Sequence, residues 1–97
     1  MRIELKKFGT TLTSRQAGSE AIKAFQSTLQ ELKPAEVLEI DFKDVLTFSP
    51  SWGDEFLSPL VQQLGDRLVL LPSENLSVKA TVRLLEEINK RKFKIRS

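Results

Sequence analysis

The sequence predicts an α/β protein: a single-layer, mainly parallel sheet of three to four strands with three helices, in the order β-α-β-α-β-α, a short final strand being left open. Three observations predict it. Apolar and polar residues alternate over residues 2–8 and 37–42, and the apolar run is unbroken over 68–71, the patterns of half-buried and fully buried strands. Between these segments, apolar residues recur at helical spacing in three stretches. Strands alternating with helices are joined by right-handed crossovers, which makes the sheet parallel. The 97 residues suit one domain over residues 1–97, with no linker or repeat to divide them.

Each element has its own signals. Ile3 and Leu5 alternate with Glu4 and Lys6, a first strand over about residues 2–8 that Gly9 breaks. Thr13 can cap the helix that follows, with Gln16 reaching back as in a capping box. Ala17, Ala21, Ile22, Phe25, Leu29 and Leu32 form its apolar face until Pro34 ends it. Gly18 weakens this helix by about 1 kcal/mol relative to Ala. In the second strand, Leu38, Ile40 and Phe42 point one way and Val37, Glu39 and Asp41 the other. A loop runs from Lys43 to Phe48, and Ser49-Pro50 reads as an N-cap followed by proline at the first helical position. Trp52, Phe56, Leu60 and Leu64 continue that helix, with a kink or restart expected near Ser58 because of Pro59. Gly65 ends it. Arg67 to Leu71 is a strand buried on both faces and closed by Pro72. After a loop over Ser73 to Leu76, Ser77 can cap a third helix bearing Val78, Val82, Leu85 and Ile88. Phe93-Lys94-Ile95 reads either as a short edge strand or as a frayed helix end.

Composition narrows the function. At 40% hydrophobic and 29% charged, the chain is too apolar to be disordered, and without Cys it folds without disulfides. It has no His either, so neither a Ser-His-Asp nor a Cys-His arrangement can form, and a zinc site would need carboxylates alone. No Walker loop, dinucleotide fingerprint or Gly-x-Ser-x-Gly elbow occurs. The expectation is a non-catalytic protein without a cofactor. Asp41, Asp44, Asp54 and Glu55 surround one loop, where receiver-type domains hold Mg²⁺. Here the first strand leads into Gly-Thr-Thr-Leu and Pro72-Ser73-Glu74 offers no Lys, so no metal site is expected.

Charge is unevenly distributed. The first 89 residues carry ten positive and thirteen negative charges, a net −3, while Lys90, Arg91, Lys92, Lys94 and Arg96 form a basic tail. A mildly acidic body does not suit nucleic-acid binding, and the tail reads as a solvated helix end and terminus. The amino terminus lacks the apolar stretch of a signal peptide, and the longest apolar run, Leu68 to Leu71, is far below the ~20 residues of a membrane helix. A soluble, cytoplasmic protein without membrane contact is expected.

In parallel sheets, function concentrates in loops beyond the carboxyl ends of the strands, here Phe8–Ser14, Lys43–Ser51 and Pro72–Ser77. The middle loop carries a resemblance. Val37-Leu38-Glu39-Ile40-Asp41-Phe42-Lys43-Asp44-Val45 followed by Thr47-Phe48-Ser49-Pro50-Ser51-Trp52 resembles the central motif of STAS domains (sulfate transporter and anti-sigma factor antagonist). Gly9-Thr10-Thr11-Leu12 resembles the Gly-x-Leu after an early strand of that family. With Ser14-Arg15 and Asp54-Glu55, the chain is similar over about residues 3–89 to bacterial STAS-like domains of undefined function.

The resemblance implies a STAS-like regulatory module that binds a protein partner: an ATPase-fold kinase of the histidine-kinase type, or an anti-sigma-like regulator. It also implies a switch in which phosphorylation of a loop serine changes binding. In ungapped alignment Ser49 stands where the motif has Asp, Pro50 occupies the acceptor position, Ser51 matches the second Ser and Trp52 replaces the Gly. Ser51 becomes the phosphoacceptor if the loop is shifted by one residue. The candidate partner-binding residues are Ser49, Ser51, Trp52 and Asp54. Each also has a plainer role: Ser49 or Ser51 as helix cap, Trp52 in the core, and Asp54 and Glu55 complementing the helix dipole. Arg15, a cation at a helix start, suggests a contact with Asp41 or Asp44. The alternative reading is a small-ligand or anion site at the helix N-terminus near Ser51.

Overall fold

A computed structural model describes residues 1–96. The chain forms β1 (Arg2–Glu4), β2 (Thr11–Leu12), α1 (Arg15–Leu29), β3 (Leu38–Asp41), β4 (Thr47–Phe48), α2 (Pro50–Leu64), β5 (Leu68–Leu70), α3 (Leu76–Asn89) and β6 (Lys94–Ile95). The main sheet has the order β1-β3-β5-β6 with every pair parallel, so the α/β architecture with three helices and four sheet strands holds. Strand order follows chain order throughout. Three successive right-handed crossovers therefore place α1, α2 and α3 on the same face of the sheet, where α2 packs against both neighbours.

Register separates the two faces. Ile3, Ile40, Leu70 and Ile95 form one row across the sheet, and Arg2, Glu39, Val69 and Lys94 form the adjacent row on the opposite face. The polar row is stitched by ion pairs, with Glu39 accepting from Arg2 at 3.3 Å and also pairing with Arg96. Beneath the helices, Leu5, Phe25, Leu38, Ile40, Phe56, Leu57, Leu60 and Leu85 form a buried core.

Several boundaries differ from the sequence expectation. The first strand stops at Glu4, and Leu5–Phe8 form a 3₁₀ turn closed by a Gly9 N–H to Lys6 carbonyl bond. Leu5 and Phe8 both lean on the core, and a spacing of three puts them on one side of a 3₁₀ turn but on opposite faces of a strand. Ser14, not Thr13, caps α1, its Oγ accepting the Ala17 N–H at 3.0 Å. Thr13 is held beyond the β2–β4 pair, where its carbonyl accepts the Ser49 hydroxyl. Helix α2 runs through Pro59 without a break or restart. Asn75, not Ser77, caps α3, accepting the N–H groups of Ser77 and Val78.

The basic tail is also corrected. Phe93 is buried, at 6% exposure, and Lys94–Ile95 pair with Val69–Leu70 as an edge strand. The Phe93 N–H donates to the Glu86 carboxylate, and the Arg96 N–H donates to the Leu70 carbonyl. These residues are not a solvated terminus; one apolar side chain anchors a strand whose charged neighbours stay in water.

Candidate functional site

The loop singled out in the sequence contains a short strand of its own. Thr47–Phe48 pair in parallel with Thr11–Leu12, a two-residue ladder outside the main sheet. Thr10 extends it, its carbonyl accepting from the N–H groups of Leu46 and Thr47, and Leu12 accepts from the Ser49 N–H. This pairing sets the starts of α1 and α2 side by side, each with a serine cap. Ser49 Oγ accepts the Trp52 N–H at 3.3 Å and donates to the Thr13 carbonyl at 2.8 Å, so one hydroxyl caps α2 and ties it to the entry of α1. Ser49-Pro50 thus acts as the sequence signals indicate.

Helix α3 holds the loop from the other side. The Asn75 side-chain amide donates to the carbonyls of Val45 and Leu46 at 3.1 and 3.0 Å. Ser77 Oγ accepts the Phe48 N–H, and Thr81 Oγ1, buried, donates to the Phe48 carbonyl at 2.7 Å. Both backbone groups of Phe48 are therefore satisfied by α3, so neither is left orphaned in the core. Asn75 and Thr81 were not singled out from the sequence. Asn75 carries a sequence signal of its own, a cap-forming residue directly before an apolar helix.

The four candidate residues have different fates. Trp52 is 1% exposed and stacks on Phe56 with ring centroids 5.0 Å apart, with Phe8 and Phe48 also against it. As a partner-binding anchor it is corrected: the apolar stripe of α2 directs it into the core. Asp54 accepts from Arg15 at 3.1 Å and from Ser58 Oγ at 2.8 Å, and Ser58 Oγ in turn accepts from Asn89. A polar chain thus crosses all three helices. Arg15 reaches Asp54 and, at 3.8 Å, Glu55, rather than Asp41 or Asp44. Those two acids serve the turn after β3: Asp41 accepts the Lys43 N–H, and Asp44, at φ +65°, pairs with Lys6. Among the described residues, no group of three or more Asp or Glu is placed to hold a metal ion.

Ser49 and Ser51 are both half-buried, but of the two side chains only that of Ser49 is hydrogen-bonded to a described residue. Ser51 lies one turn before Asp54 and Glu55 on the same helix face. An anion at this helix start meets a poor donor set. Pro50 has no N–H, Trp52 donates to Ser49 Oγ and Gly53 donates to the Ser49 carbonyl, so only the Ser51 N–H is uncommitted.

What the corner does present is apolar. Leu46 and Leu76 are the two most exposed large hydrophobic residues among those described, at 69% and 79%. Asn75 binds the Leu46 carbonyl and precedes Leu76, so the same clasp brings both leucines to the carboxyl end of the sheet. Exposed Thr47 and Pro50 adjoin Leu46 and Ser51 along the chain.

No family model, no curated protein and no solved structure matches this chain. No helix among the described residues is long and apolar enough to cross a membrane.

Proposed function

We propose that this chain is a non-catalytic regulatory module of the STAS-like type that binds a protein partner at the corner formed by Leu46, Thr47, Pro50, Ser51 and Leu76. The observation that carries the reading is the pair of exposed leucines held on a hydrogen-bonded frame. A backbone already held by hydrogen bonds presents these side chains with less ordering left to lose on docking, which favours a specific interface. Ser51 sits at the border of that corner with no structural duty, where a phosphate would alter the interface without removing a cap. Ser51 is thus the phosphoacceptor of the proposed switch, and the partner is an ATPase-fold kinase of the histidine-kinase type. Ser49 and Asp54 support the loop rather than touch the partner, and Trp52 supports it from within.

The test places a photo-crosslinking residue at position 76 and a control at position 33, then identifies what is captured only from position 76. Leu76→Glu and Ser51→Asp are titrated against that partner. A charge buried against it costs about 1–3 kcal/mol, an affinity loss of about five- to 150-fold, at unchanged melting temperature. Unaltered affinity in both variants removes the proposed interface. A partner without an ATPase fold keeps the interface and removes the kinase.

A further inference from the structure

Helix α3 carries a second apolar surface that the proposed corner does not use. Its inner face is formed by Val78, Thr81 and Leu85, all buried. Beside that face Ala80, Leu84 and Ile88 recur every four residues, with Leu84 at 39% and Ile88 at 52% exposure and Ala80 exposed as well. The outer side of a solvated helix is ordinarily polar. A row at spacing four is the ridge that packs into the matching groove of another helix.

We propose that Ala80, Leu84 and Ile88 are the contact of a weak symmetric dimer, in which α3 packs antiparallel against α3 of a second copy. The row is complementary to itself about Leu84. A two-fold axis there sets Leu84 against its counterpart and Ala80 against Ile88 of the second copy, small opposite large on both sides. The charges along the rim choose the direction. Arg83 and Glu87 are exposed and form no ion pair with any described residue. In the antiparallel pairing each Arg83 falls within about two residues, roughly 3 Å of helix rise, of Glu87 on the other copy. A parallel pairing would instead put Arg83 and Glu87 of the two copies on opposite sides of the seam, where they cannot pair. The strip is narrow against the ~800 Å² per partner of a standard stable interface, so the dimer forms at high concentration only.

Sedimentation velocity from about 10 µM to 1 mM tests this, and the weight-average mass should climb from one chain toward two as weak, small interfaces do. Leu84→Glu should hold the mass at one chain throughout. Arg83→Glu and Glu87→Arg, each on an exposed site, should weaken association about three- to tenfold, as expected for two exposed pairs turned repulsive. The double variant R83E/E87R should return it to within about twofold of wild type, because the pairs re-form with signs exchanged. Circular dichroism monitors folding in every variant. A folded wild-type chain that stays monomeric up to 1 mM overturns the dimer and leaves the row to a different partner. Association that ignores the charge swaps, or is not rescued by the double variant, overturns the antiparallel pairing. Either result leaves the proposed Leu46–Leu76 corner untouched.

Discussion

Gly18 weakens its own helix by about 1 kcal/mol relative to Ala, and its neighbours explain why the chain carries it. A Cβ at this position would lie 2.7 Å from the Trp52 carbonyl oxygen and 3.0 Å from its Cα, contacts with backbone that cannot step aside. Gly18→Ala should therefore destabilise the protein by about 1–3 kcal/mol, the usual cost of overpacking, although it improves helix propensity. Urea unfolding would measure this, and a stabilised variant would mean that α1 and α2 are not in close contact. Glu36 offers a test by pH. Its carboxyl is held below the usual carboxylate value chiefly by the Lys33 N–H bonded to it, then by the Met1 ammonium. A lowered folded pKa contributes stability that is full above the unfolded value of 4.5 and is lost as pH falls through the folded one. Melting temperatures of wild type and Glu36→Gln should thus differ near neutrality and converge in acid. Lys6 behaves in the opposite sense: its hydrogen bond to Asp44 raises its pKa, so its contribution fades as pH rises beyond the usual lysine value.

At the scale of elements, β2 and β4 matter beyond their length. Two residues each are too few to show a period, and residues 43–48 accordingly read as a loop in the sequence. Pairing with each other and clasping by α3 make this segment a hydrogen-bonded frame for Leu46. Asn75→Ala would remove two donors to the loop carbonyls together with the cap of α3. A loss of about 1–3 kcal/mol is expected. Hydrogen exchange should be accelerated most at the N–H groups of Leu46 to Phe48. Equal acceleration everywhere would mean that the clasp acts on global stability alone. The boundaries of α1 and α2, by contrast, were legible to within a few residues, because caps, Pro50, Gly65 and the four-residue spacing are local signals.

At the scale of the molecule, the sheet is completed by its last strand. Phe93 enters the core between α3 and β6, and Arg96 joins Arg2 on Glu39 across the polar face. Phe93→Ala should cost about 3–5 kcal/mol, as for other buried aromatic residues. Removal of residues 92–97 should be at least as damaging. Thermal unfolding of both variants measures this, and a truncated chain as stable as wild type would mean that β6 adds nothing to the fold. Charge pattern alone pointed to a solvated tail because five cations outweigh Phe93 and Ile95 in any local reading.

The sequence by itself determined the three helices and the strands β1, β3 and β5 in their order, the parallel main sheet, the Ser49-Pro50 start of α2 and the two-sided burial of β5. These follow from torsional preference and from periods of 2 and 3.6 residues, both written in neighbouring positions. Only the tertiary structure decided that Trp52 faces inward, that Arg15 answers Asp54, that Gly18 admits α2, that α3 supports β4 and that Leu46 and Leu76 share a corner. The Asn75–Leu46 and Thr81–Phe48 bonds join residues 29 and 33 apart in sequence. Such a contact depends on where the folding of everything between them places its two ends, and no local spacing encodes that.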